Sequence, residues 1–160
     1  MAEELMEYRL EIIFIHIFSA VVWVGGMISM RFAAHYAFVE ITSPADRIEK
    51  TAIALGRLFK IVLPFVLLLA ATGAILTIGY GIKHTEFHYL THIKEGIWSV
   101  MFINLVMMMF RRKKALQALE NGDHAGAARL LGLIGKFMVP VNIALGIVAI
   151  LFGVVLRTHL

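Results

Sequence analysis

The run from Ile12 to Met30, IIFIHIFSAVVWVGGMISM, carries no acidic or basic side chain apart from one histidine. Wound as a helix at about 1.5 Å per residue, it is long enough to cross a hydrocarbon core of about 30 Å. Comparable uncharged runs recur at Ile61 to Ile82, Gly96 to Phe110 and Phe137 to Leu156. In lipid every backbone donor and acceptor must be satisfied within the structure, and segments rich in Leu, Ile, Ala and Met achieve this as helices rather than barrel strands. The expected fold is all-α, an integral membrane four-helix bundle. One membrane domain spans residues 1–160, with transmembrane helices at about 9–34, 57–82, 88–112 and 134–157. Composition supports this, because 16% of the residues are charged against roughly 25% in a soluble domain.

Lys and Arg give the expected orientation. Arg31, Arg47, Lys50, Arg57 and Lys60 cluster around the first loop, and Arg111, Arg112, Lys113, Lys114, Arg129 and Lys136 around the third. Only Arg9, Lys83, Lys94 and Arg157 fall on the other side. By the positive-inside rule both termini lie on the outer side, periplasmic for a bacterial inner membrane. The basic loops then face anionic lipid rather than nucleic acid. The first apolar run lacks a basic start, so it is expected to be retained rather than cleaved as a signal peptide. Ser43, Pro44 and Asp46 form a cap, first-turn proline and first-turn acid, which predicts a helix start that runs into helix 2. The Asn121-Gly122 pair predicts a turn before helix 4. Pro64 and Pro140 are expected near helix starts, where proline is tolerated.

The exception in the first run is His16. An imidazole in lipid costs free energy unless something binds it, so it is a functional candidate by default. The third run is only 15 residues, short of the roughly 20 a crossing needs. Helix 3 therefore begins earlier and carries His92, Lys94 and Glu95 into the membrane or its interface. Chain direction assigns depth. His16 lies near the outer end of helix 1, and His84, His88 and His92 lie at the outer start of helix 3, on one stripe if that helix extends far enough back. His16 can thus face His88 or His92, whereas His35 sits at the opposite end. His124 and His159 are expected to be exposed.

Two imidazoles on facing helices suit a b-type haem, whose iron takes two axial nitrogens with the macrocycle between helices. The His16 face continues through Ser19, Ala20, Trp23, Met27 and Met30, and helix 4 offers Asn142, Gly146, Ala149 and Gly153. Ordinary membrane packing accounts for such small and Met residues equally well. The site expected from this pattern has His16 and His92 as metal ligands, His88 as the alternative, and Trp23 and Lys94 around the cofactor. Lys94 either snorkels to the interface, clamps haem propionates or acts on a substrate. His92 and Lys94 are about 200° apart around a helix and cannot both face one ring. Glu95 is placed to fix the His92 imidazole.

Several segments resemble a known family. HIFSAVVWVGGMISMRF (His16 to Phe32), GRLFKIVLP (Gly56 to Pro64) with Thr72 and Gly73, HIK (His92 to Lys94) and FMVPVNIALGIVAILFGVV (Phe137 to Val155) resemble the four helices of HemJ-type protoporphyrinogen oxidases. WVGG (Trp23 to Gly26) is closer to the related CopD-type copper-resistance membrane proteins. Met138 and Val139 replace a polar pair usual in HemJ, and His84 and His88 are extra, which points to a divergent paralogue. The resemblance implies haem b at His16, a catalytic role for Lys94 and an oxidoreductase passing electrons to quinone or a respiratory complex. Copper binding or transport remains open, since thioether and imidazole ligands suit Cu(I) and Met27, Met30, Met101 and Met107 to Met109 are available. A cofactor-free assembly partner is a third reading. Glycines on helix 4 would allow a homodimer.

Overall fold

The computed structural model describes residues 7–82, 86 and 88–158. Among them are four helices long and apolar enough to cross a membrane and no strands: α1 (Arg9–Val39), α2 (Pro44–Gly79), α3 (His88–Glu120) and α4 (His124–Thr158). His84 and His159 lie outside the described residues. Consecutive helices run antiparallel, so the start of α1, the end of α2, the start of α3 and the end of α4 share one end of the bundle. We call this the terminal end, and the opposite end, rich in Lys and Arg, the basic end.

The local signals explain the helix limits. Ser43 caps α2 with its hydroxyl accepting from the Asp46 N–H, and Pro44 occupies the first turn, as the sequence predicts. The α3–α4 turn uses Gly122 at φ +77°, a left-handed conformation that favours glycine, and Asp123 then caps α4 through the Gly126 N–H at 2.8 Å. The helices extend further at the basic end than the apolar runs alone suggest, and this moves both prolines. Pro64 and Pro140 lie inside α2 and α4, not near their starts. Pro140 lies two residues beyond a π-helical segment, Ile134–Met138, which contains the carbonyl four residues back from it, that of Lys136. A proline ring clashes with the carbonyl four residues back and lacks its own N–H, and the widened turn accommodates both. A second π segment, Met30–Ala34, interrupts α1.

The core is a dry layer at mid-height. Met27 from α1, Val62 and Val66 from α2, Leu105 and Met108 from α3 and Ile134 from α4 have no exposure. Their i, i+3 and i+4 spacings put each set on one helix face. The opposite faces carry exposed Phe14, Ile17, Leu67, Ile103, Ile147 and Leu151. An apolar surface of this kind suits contact with acyl chains and would be an aggregation liability in water. This is the surface of a multi-pass membrane protein.

Glycine and buried amides draw the helices together. At Gly26 a Cβ would crowd Leu58, and at Gly146 it would run into Val24, so α1 approaches α2 and α4 where no side chain intervenes. Asn104 Nδ2 donates to Asn142 Oδ1 at 2.7 Å and to the Met138 carbonyl at 2.8 Å, while Asn142 Nδ2 donates to the Met101 carbonyl. At the basic end Arg112 turns inward and donates from Nε to the Ala52 carbonyl, its guanidinium lying over Gly56.

Candidate functional site

His16, Thr72, Lys94 and Gly153 each lie five to seven residues from the terminal end of their own helices. At about 1.5 Å per residue this is a common depth of about 10 Å, reached from all four helices. Two contacts make it a site. His16 Nδ1 is 2.9 Å from Thr72 Oγ1, and the ring edge at Cε1 rests against Gly73, where a Cβ would stand 3.3 Å away. Lys94 reaches across to α4, its Nζ over Gly153, and lies within electrostatic range of the His16 ring.

The hydrogen-bond inventory gives the imidazole a specific partner at Nδ1, and the tautomer follows from where the threonine proton points. A hydroxyl has one proton to donate and accepts through its lone pairs. Thr72 donates to the Leu68 carbonyl at 2.6 Å, with the Leu69 carbonyl further away at 3.3 Å. With its proton on that carbonyl, the Thr72 oxygen accepts from His16 Nδ1–H. In that tautomer Nε2 carries the free lone pair that a metal-ligating histidine requires. Thr72, an apolar-helix residue bonded to its own backbone, thus also orients a side chain on another helix.

Lys94 sits among apolar helices, and among the described residues no carboxylate pairs with it. Two further buried groups on the His16 face are unsatisfied: Ser19 Oγ and the Trp23 indole N–H. Trp23 is buried about two helical turns below the histidine. Thr91 Oγ1, on α3, is a third.

His92 takes the other side of α3. With Lys94 turned inward, the 200° separation places His92 outward, and its side chain is 63% exposed. Glu95 holds it, Oε2 to Nδ1 at 3.0 Å, and His88 meets it edge-to-face at 5.7 Å between ring centroids. The bundle therefore brings together His16, Thr72 and Lys94, and separately His88, His92 and Glu95. Among the described residues no group of three or more His, Asp or Glu side chains is arranged to hold a metal ion. Of the methionines, Met27, Met101 and Met108 are core residues and Met107 faces outward. His35 lies at the basic end, on a separate cavity.

Thr72 and Gly73 entered the sequence reading only through family resemblance, and their contact with His16 was missed. The available signal was depth: Thr72 stands as far from the end of α2 as His16 does from the start of α1. No protein-family model, curated protein or solved structure matches the chain.

Proposed function

We propose that this membrane protein holds a haem b through His16 and serves a redox role. The observation that supports this best is the His16–Thr72 hydrogen bond, because it holds the ring in one orientation and, with the Thr72 proton on the Leu68 carbonyl, leaves Nε2 to ligate. The donor set fits the group in a second respect. Lys94 is an ammonium without a counter-charge among the described residues, and a haem brings two carboxylates. Among the described residues His16 is the one histidine turned into the bundle at this depth, since His92 is turned outward on Glu95.

When bound, haem supplies a one-electron centre whose potential is set by ligation and surroundings. The chain's own residues have simpler tasks. Thr72 accepts the hydrogen bond from Nδ1–H, which keeps the proton on Nδ1 and Nε2 free to ligate. Gly73 leaves room for the ring edge, and Lys94 attracts an anionic substituent to the same depth. The resemblance to HemJ-type oxidases makes oxidation of a porphyrinogen-type substrate, with electrons passing to quinone, the finer form of this reading.

The deciding experiment is a reduced-minus-oxidised spectrum with metal analysis of protein purified from haem-replete cells. A b-type spectrum with stoichiometric iron is expected, and His16→Ala should abolish it. A folded preparation with copper and no iron, or with neither metal, would overturn the proposal.

A further inference from the structure

The basic end contains a cavity of about 450 Å³, within the roughly 300–1,000 Å³ range of small-ligand sites. It lies between α1, α2 and α4. Two of its three walls include a π-helical segment: Met30–Ala34 on α1, which contributes Met30 and Arg31, and Ile134–Met138 on α4, which contributes Gly135 and Lys136. Such segments re-aim the side chains around them and occur frequently at functional sites.

The lining has a consistent chemistry. Its walls are largely apolar, and its polar side chains include Arg31, Arg47, Lys136 and His35 but no Asp or Glu. None of the three cations has a carboxylate partner among the described residues. Arg47 also stands in the first turn of α2, where the helix dipole disfavours a positive charge, so local helix stability does not account for it. Gly132 and Gly135 line the same space, and a Cβ at either would meet nothing within 4 Å. Phe32, Tyr36 and Phe137 are exposed on the same helix segments, a surface suited to acyl chains.

We propose that this cavity binds one anionic glycerophospholipid, with its phosphate on Arg31, Arg47 and Lys136 and the start of an acyl chain between α1 and α4. Charge complementarity selects an acidic head, and the apolar walls select an attached hydrocarbon over a free anion. The positive-inside rule places this end in the leaflet where anionic lipids attract basic residues. The site is independent of His16, which lies at the other end of the bundle.

The test is native mass spectrometry of the full chain in detergent, titrated with phosphatidylglycerol or with phosphatidylcholine of identical acyl chains. One retained phosphatidylglycerol is expected, with affinity at least about fivefold above phosphatidylcholine, and Arg31→Gln or Arg47→Gln should each lower it about fivefold. Gly132→Leu keeps every charge, fills the cavity and improves helix propensity. It should lower phosphatidylglycerol binding with a melting temperature at or above that of the wild type. Gly135→Leu provides a second filling variant if Gly132→Leu fails to fold. Equal binding of the two lipids would overturn the proposal, as would full binding by the filling variants, which would mean surface charge alone. Displacement of the lipid by millimolar inorganic phosphate would reassign the site to a free anion.

Discussion

His16 and Thr72 face each other across the α1–α2 interface at 2.9 Å, and a third group, the Leu68 carbonyl 2.6 Å from the same threonine oxygen, competes for the threonine proton. When the threonine proton goes to that carbonyl, the imidazole is held as the Nδ1–H tautomer before anything binds it. This relationship can be tested without knowing the reaction.

Thr72→Val preserves shape and removes the acceptor. Loss of a hydrogen bond that orients a ligating histidine lowers metal affinity about 10–100-fold, so titration of the apoprotein with haem should show weakening in that range. Thr72→Ser should restore binding. Wild-type affinity in the valine variant would reduce Thr72 to a helix-packing residue.

Lys94→Met distinguishes a binding role from a structural one. An uncompensated charge among apolar helices costs free energy, so the variant should melt at the same temperature as the apoprotein or higher. Its haem retention should nevertheless fall. Lower stability with unchanged haem content would instead indicate a lysine that only snorkels to the interface.

Gly73→Leu should displace the His16 ring, because even a Cβ would stand 3.3 Å from Cε1. We expect full expression in the membrane and loss of the haem spectrum. Gly25→Leu is the control, since a Cβ there meets nothing within 4 Å, and it should leave the spectrum intact.

The sequence made the architecture legible because lipid leaves so few options. Four uncharged runs mean four helices, and Ser43-Pro44 and Asn121-Gly122 mark where two of them begin and end. It also separated His16 from His35 by depth. The inward choice between His92 and Lys94 was visible only as a conflict, because spacing gives a relative angle but not which face meets the bundle. The π segments were invisible, since a widened turn has no compositional signature. They explain why Pro140 is tolerated inside α4.

Asn104 and Asn142 carry a fourth prediction. Asn142→Ala removes an acceptor and a donor from a buried pair, and interhelical bonds in bilayers contribute about 0.6–2 kcal/mol each. Thermal unfolding should show destabilisation of that order. Asn104→Ala added to Asn142→Ala should cost less than the two separate losses combined, because the bond they share is lost only once.

The dry layer at mid-height has an electrical consequence. Met27, Val62, Val66, Leu105 and Met108 are all at zero exposure, so the His16 end and the Arg31–Lys136 end are separated by side chains that are hydrocarbon and thioether apart from the mutually bonded Asn104–Asn142 pair. Such a layer presents a steep barrier to ions. The expected outcome is insulation along the protein's own axis, and proteoliposomes containing it should hold an imposed potential.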